Sequence, residues 1–303
     1  MEKKLSIISH KKAKSLVEKT AAMIFRGCAI ISVLAVVTIT GYMIISGTPA
    51  IFKEGITGIL FSTTWAPTAA HPQYGIAYVI LTSIVGVFLA ICIGVPIGLF
   101  TAINLAEIAP VKLRKILKSA IELLAGIPSV VYGFIGLQVV VPFVRFIFGG
   151  TGFGILSGTF VLFVMILPTV TFMTTDALRA VPRHYREASL AMGATRWQTI
   201  WRVTLNAAKP GIFTAVIFGM ARAFGEALAV QMVVGNSAVI PTSLTTPAAT
   251  LTSVLTMGIG NTVMGTVSNN VLWSLALVLL LMSLGFNMLV KFITRERKRN
   301  YER

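Results

Sequence analysis

The chain has 303 residues, of which 55% are hydrophobic and 12% are charged, and its formal net charge is +16 at pH 7. Soluble domains carry roughly 25% charged residues, so this chain cannot hide its apolar surface from water, and its composition predicts a membrane protein. The cationic excess is typical of loops held on the cytoplasmic side of a membrane. The sequence has no basic stretch interleaved with aromatic residues, so it does not indicate a nucleic-acid partner.

Six long apolar segments occupy most of the chain, and each is long enough as a helix to cross roughly 30 Å of hydrocarbon. They are predicted at residues 22–45, 74–103, 121–148, 155–175, 211–234 and 271–293. The first is too long for a cleaved signal peptide. We therefore predict an all-α membrane protein in which one six-helix domain, residues 22–293, lies between two basic tails, residues 1–21 and 294–303.

Lys and Arg are concentrated in alternate loops. The loops 104–120 and 176–210 contain four and six of these residues, whereas the loop 235–270 contains no charged residue. Because cytoplasmic loops carry the excess of Lys and Arg, both basic loops and both termini are predicted to be cytoplasmic. The loop 235–270, rich in Ser and Thr, is then external, and it is either a docking surface for a partner or an ordinary exposed loop.

Proline and glycine recur inside the apolar segments. Pro96, Pro128 and Pro168 each remove a helix hydrogen bond, and Gly94 and Gly98 have the spacing that permits close contact between helices. Both residue types are common in membrane helices. They therefore predict bent, closely packed helices and no more specific role.

Two ionisable residues interrupt the fifth apolar segment, which includes GMARAFGEALAVQMVV. Arg222 and Glu226 are four residues apart, so a continuous helix places them on one face, where they can pair. A charge at the bilayer centre costs about 2.5 to 3.5 kcal/mol on insertion scales, so both side chains should face protein or water. Two interpretations stay open: an ion pair that fixes helix packing, or a pathway in which Arg222 attracts an oxyanion and Glu226 orients the arginine.

The loop 176–210 carries a longer pattern, formed by Glu187, Ala188, Ser189, Gly193, Val203 and Leu205. It resembles the EAA loop of ABC importer permeases, usually E-A-A-x3-G-x9-I-x-L-P. Ser189 replaces the second alanine, Val203 replaces isoleucine, and Asn206 stands where proline is expected. The resemblance implies a coupling helix that seats in an ATPase subunit and transmits nucleotide-driven closure to the membrane helices.

The residues of this loop predict its shape independently of the resemblance. Gly193 can adopt backbone angles that are closed to other residues, so it can join two short helices at a sharp bend. After the bend, the residues predicted to share one apolar stripe are Trp197, Ile200, Trp201 and Leu205. Such a knob fits a groove of a partner protein; the alternative is an interfacial helix that rests on lipid.

An ATPase or other enzyme site is not predicted in the chain itself. The sequence has no Gly-Lys pair, so the P-loop motif is missing, and it has neither an HExxH motif nor paired carboxylates in a membrane span. We therefore predict no catalytic residue, metal or cofactor here, and we expect ATP and Mg²⁺ to be bound by a separate ATPase subunit.

Longer stretches narrow the resemblance to the PstC family of phosphate permease subunits. One of them, RAFGEALAVQMVVGN, is similar to the family's R-A-x-G-E-[TA] pattern, whose buried arginine and glutamate fall on Arg222 and Glu226. The other similar parts are ILPTVTFMTTDALRAVP, REASLAMGATRWQTI and the residues Trp65, Pro67, Tyr74 and Gly75.

This resemblance implies half of a type I ABC importer with the MetI-like fold, embedded in the lipid of a bacterial inner membrane. The expected partners are a second, related permease subunit in a heterodimer, two ATPase subunits and an external phosphate-binding protein. Transport of inorganic phosphate would proceed by alternating access. Two alternatives stay open: a permease of this architecture for sulfate or molybdate, and a secondary transporter in which Glu226 carries a coupling proton.

Overall fold

The computed structural model describes the backbone of residues 2–67, 69 and 71–301, and the side chains of residues 18–53, 55–67, 69, 71–288 and 291–292. Most side chains of the predicted basic tails, 1–21 and 294–303, lie outside that range. The helices are α1 Glu2–Glu54, α2 Ile56–Leu60, α3 Ala77–Ile103, α4 Val111–Gly126, α5 Ser129–Ile135, α6 Val141–Phe148, α7 Ile155–Arg179, α8 Arg183–Ala191, α9 Arg196–Thr199, α10 Leu205–Phe224, α11 Leu228–Val234, α12 Leu251–Ile259 and α13 Val267–Tyr301. Strands β1 Trp65–Ala66 and β2 Gln73–Tyr74 form a hairpin, and π-helical turns cover Asn104–Ile108, Gly136–Val140 and Ile200–Thr204.

Six helical segments in the described residues are long and apolar enough to cross a membrane, which confirms the predicted number. They are Glu18–Lys53, Ala77–Ile108, Ser129–Phe148, Ile155–Arg179, Arg196–Phe224 and Val267–Met288. The second begins later than predicted because Tyr74 pairs with Trp65 in the hairpin. The third is interrupted at Ile127, which is extended because it precedes Pro128, so a separate helix, α4, comes before the span.

Contacts between loops agree with the alternation that the charge pattern predicts. On the side with the basic loops, Arg186 in α8 forms an ion pair of 2.6 Å with Glu107, which follows α3. On the opposite side, the Leu156 amide donates to the Leu244 carbonyl at 2.9 Å, and the Tyr74 hydroxyl lies 3.0 Å from that of Ser268. Loops assigned to the same side therefore contact one another.

The centre of the fold is formed by α3, α7 and α10, which pack closely through glycines. A Cβ atom at Gly94 would lie 2.8 Å from Cδ1 of Ile166, and one at Gly98 would lie 2.9 Å from Cγ1 of Val170. Gly219 of α10 approaches Cγ2 of Val170 equally closely, at 2.8 Å. Val170 of α7 is thus enclosed between two glycine surfaces, and the close contact predicted for Gly94 and Gly98 is present.

We expect Gly98→Leu to destabilise the folded protein, because the new side chain has to occupy space that Val170 already fills. In the cores of soluble proteins, overpacking of this kind lowers the free energy of unfolding by about 1–3 kcal/mol. The measurement is thermal unfolding of the purified protein in detergent. Gly27→Leu is the matched control: no atom lies within 4 Å of the Cβ position at Gly27, so this variant should unfold at the wild-type temperature. Equal unfolding temperatures for both variants would contradict the packing described here.

Helix α1 lies at the edge of the bundle. It contacts α13 through Tyr42, whose ring lies 4.7 Å from that of Trp273, and through the Gly47 carbonyl, which accepts from the Ser274 hydroxyl at 2.6 Å. Most of its large apolar side chains are exposed, including Phe25 and Ile45 at about three-quarters exposure. A membrane or a membrane partner must therefore cover this helix.

Candidate pathway residues and coupling surface

The fifth span is broken between the two ionisable residues that the sequence places in it. The prediction of one helix over residues 211–234 is wrong, because α10 ends at Phe224 and α11 begins at Leu228. Gly225 lies at the break, where its lack of a side chain weakens the helix. Arg222 and Glu226 therefore do not share one helical face, and they do not pair: in the part of the chain with described side chains, the ion pairs are Lys118–Glu122 and Arg186–Glu107.

Arg222 contacts α7 rather than a carboxylate. Its Nη1 donates to the Thr169 hydroxyl at 2.9 Å, and the side chain is partly buried. A guanidinium has five N–H donors, and a neutral hydroxyl neither compensates its charge nor satisfies the other donors. Arg222 is thus a positioned cation, held inside a membrane span, that retains the capacity to bind an anion.

Glu226 stabilises the break in the span. Its Oε1 accepts from the Ala229 amide at 3.0 Å, which satisfies one of the free N–H groups in the first turn of α11. Its backbone carbonyl accepts from the Thr252 hydroxyl at 2.9 Å, which links the break to α12. The residue also lines a small cavity of about 30 Å³ together with Thr82 and Ser83 of α3. Glu226 therefore connects three elements and faces a different neighbourhood from Arg222.

The predicted bend in the loop 176–210 is present. Gly193 has a φ of 82° and lies between α8 and α9. The two short helices are joined by the hydroxyls of Ser189 and Thr199, which lie 2.9 Å apart, and Thr195 begins α9 with a capping box. This compact unit is called the coupling knob below and consists of residues 183–199.

The apolar stripe predicted after the bend is divided in the structure. Ile200 and Leu205 are buried in the protein core, whereas Trp197 and Trp201 are 57% and 39% exposed. The stripe prediction is wrong: Ile200 and Leu205 pack in one buried cluster, and the π-helical turn at residues 200–204 rotates Leu205 away from α-helical register with the tryptophans. The two indole rings contact edge to face, with centroids 5.5 Å apart, and form an exposed aromatic surface.

The other motif residues lie beside this surface. Glu187 and Ala188 are exposed on α8, and Ser189 is partly exposed while its hydroxyl holds the two helices of the coupling knob together. The structure thus brings Glu187, Ala188, Ser189 and Gly193 into one protruding unit with Trp197. Leu205 is separate from them, because it packs in the interior at the start of α10.

Glu107 anchors the coupling knob, and sequence reasoning missed it. Arg186 donates to both carboxylate oxygens of Glu107, and it also donates to the carbonyls of Val181 and Leu178. The ion pair joins residues 79 positions apart, so no local pattern reveals it. The one available signal is that the whole chain contains only ten acidic residues, which makes each of them a candidate for a specific role.

This fold, with a protruding knob next to a bundle of six spans, is that of an ABC importer permease. The chain belongs to the family described as binding-protein-dependent transport system inner membrane component, which matches residues 94–299. The chain is thus a multi-pass inner membrane protein, and its family works with ATPase and substrate-binding subunits. Its relatives are the membrane subunits of such importers rather than their ATPases.

Individual relatives support this membership. The chain is 48% identical to the probable ABC transporter permease protein YqgH of Bacillus subtilis, over 96% of both chains. It is 32% identical to the phosphate transport system permease protein PstC of Xylella fastidiosa, over 75% of both. A solved structure of the inward-facing MetNI methionine ABC transporter contains a similar chain, with a TM-score of 0.51 and 25% identity, over 75% of this chain and 94% of that one. The expected MetI-like fold and the resemblance to PstC are confirmed.

Proposed function

We propose that this chain forms half of the translocation pathway of an ATP-driven importer of inorganic phosphate. The observation that carries this proposal is Arg222, a cation inside a membrane span with a neutral hydroxyl as its hydrogen-bond partner. A guanidinium offers parallel N–H donors that match two oxygens of a phosphate group. The similarity to permeases named for phosphate transport supports the same substrate.

The remaining partners follow from the same proposal. A second, related permease would supply the other half of the pathway in a heterodimer, and two ATPase subunits would bind ATP and Mg²⁺. An external phosphate-binding protein would dock on the exposed parts of the uncharged segment 235–270, residues 238–240, 242–244 and 263–266, since residues 248–253 are buried. Separate partners on the cytoplasmic and external sides suit alternating access, because the pathway opens to each side in turn. Arg222 would attract the anion when its side of the pathway is open, and Glu226 would hold the break in the span that leaves the arginine free.

The coupling knob has a direct mechanical connection to Arg222. Residues Arg196–Phe224 form one helical rod of 29 residues, which includes both Trp197 at one end and Arg222 at the other. At 1.5 Å per residue such a rod is about 40 Å long. Movement of an ATPase against Trp197 and Trp201 would therefore reach Arg222 along this one helical segment, which contains the π-helical turn Ile200–Thr204 and Pro210.

Competition by other anions tests the substrate. Proteoliposomes that contain the assembled complex should take up labelled phosphate in the presence of internal ATP, and excess unlabelled phosphate should suppress the signal. Sulfate and molybdate at the same concentrations should leave uptake unchanged. Suppression by sulfate or molybdate would assign the permease to another oxyanion, while the architecture and the coupling would remain as described.

A further inference from the structure

Three arginines of the basic side converge on one short segment, residues 105–109, which follows α3. Arg179 of α7 donates to the Leu105 carbonyl at 3.4 Å, and Arg114 of α4 donates to the Ala109 carbonyl at 3.2 Å. Between these two carbonyls, the Glu107 carboxylate holds Arg186 of α8. Three different helices thus contribute one guanidinium each to the same place in the fold.

These arginines line an open cavity of about 550 Å³, together with Arg183, Glu107 and Glu187. Arg186 is fully engaged, because all three of its nitrogens donate to Glu107 or to backbone carbonyls. Arg114 is not: its Nε is buried and has no hydrogen-bond partner. Buried donors without partners are uncommon in folded proteins, so this Nε is a donor still free to bind a ligand.

The charges around the cavity do not cancel. Four arginines face two glutamates, and Glu107 is already neutralised by Arg186, so two positive charges remain. Arg179 also lines a neighbouring cavity with Asp176, Glu122 and Lys118, but within the described side chains no ion pair joins Arg179 to either carboxylate, and Glu122 pairs with Lys118. Cations held close together in a partly enclosed site repel one another unless an anion lies between them.

We infer that this cavity binds a phosphoryl oxyanion through Arg114 and Arg179, with Arg183 at its rim. The ligand is either free inorganic phosphate or the phosphate group of an anionic lipid, because both present the same oxygens to a guanidinium. The cavity is formed by loops predicted to be cytoplasmic and is separate from Arg222 inside the membrane. Through Arg183, an anion bound here would join the coupling knob to α4 and α7, so its occupancy would set how firmly the knob is held.

The experiment uses the full chain with its co-purifying subunits in nanodiscs, and it compares wild type with Arg114→Gln/Arg179→Gln. The matched control is Lys112→Gln/Lys115→Gln, which removes the same charge from exposed positions that do not line the cavity. One arm titrates labelled inorganic phosphate in phosphatidylcholine nanodiscs. The other arm adds phosphatidylglycerol and counts retained lipids by native mass spectrometry.

Wild type and the lysine control should retain the anion, and the arginine variant should lose at least about tenfold in affinity, since it loses charge-assisted hydrogen bonds. Loss in the phosphate arm identifies free phosphate as the ligand, and loss in the lipid arm identifies a headgroup. Equal binding by all three proteins would overturn the inference, as would an equal loss in the lysine control. Loss of the co-purifying ATPase with unchanged anion binding would also overturn it and would assign the arginines to protein docking.

Discussion

Arg222→Gln is expected to reduce ATP-dependent phosphate uptake by at least about 100-fold while membrane insertion and subunit assembly stay normal. Glutamine can keep a hydrogen bond to Thr169, so helix packing should survive, but the charge and the planar fork are lost. Two charge-assisted hydrogen bonds to an anion contribute on the order of 3 kcal/mol or more, which corresponds to about two orders of magnitude. The measurement is the initial uptake rate at equal amounts of inserted protein.

Thr169→Val is the matched control for this arginine. It removes the 2.9 Å hydrogen bond that positions Arg222 but leaves the charge in place. The uptake rate should fall by less than about tenfold, since one neutral hydrogen bond contributes roughly 1 kcal/mol. If Arg222→Gln transports at the wild-type rate, the arginine is a packing residue, and the anion pathway proposed here is wrong.

Gly193→Val is expected to slow transport and ATP hydrolysis together. The Cβ position at Gly193 is open, so the new side chain meets no neighbour, and its effect comes from the φ of 82° alone. A β-branched residue forced into such a conformation costs about 1–3 kcal/mol, so the bent knob becomes less populated by about tenfold or more. Both uptake and substrate-stimulated ATP hydrolysis should fall by a similar factor in proteoliposomes.

Gly193→Asn distinguishes the effect of backbone strain from the other effects of adding a side chain at this position. Asparagine tolerates positive φ far better than valine, so this variant should keep most of the uptake. The order of activity is therefore expected to be wild type, then asparagine, then valine. Equal activity of the valine and asparagine variants would show that the bend at Gly193 does not control coupling.

The number of spans and their alternation were predictable because a long apolar run and a cluster of cations are local signals. The break at Gly225 was not predictable from periodicity, since hydrophobic residues continue on both sides of it. It depends on Glu226 capping α11 and on Thr252 from a distant helix, contacts that form only in the folded chain. Tertiary contacts therefore override the helical pattern of the sequence.

The predicted apolar stripe is divided for a similar reason. A periodicity of 3.6 residues assumes a regular α-helix, but the π-helical turn Ile200–Thr204 changes the register at the point where α9 meets α10. Leu205 is consequently out of line with the two tryptophans, which stay on the surface, while Ile200 packs with Leu205 in the core. The motif predicted the bend at Gly193 correctly, although it did not show which side chains form the exposed face of the knob.

The dependence of uptake on ATP tests the central proposal most directly. Proteoliposomes that contain the assembled complex and the external binding protein are loaded with ATP or with a non-hydrolysable analogue, and the uptake of labelled phosphate is followed with and without an uncoupler. We expect uptake only with hydrolysable ATP, and we expect the uncoupler to have no effect. Uptake that proceeds without ATP and collapses with the uncoupler would contradict this account and would identify a proton-coupled transporter.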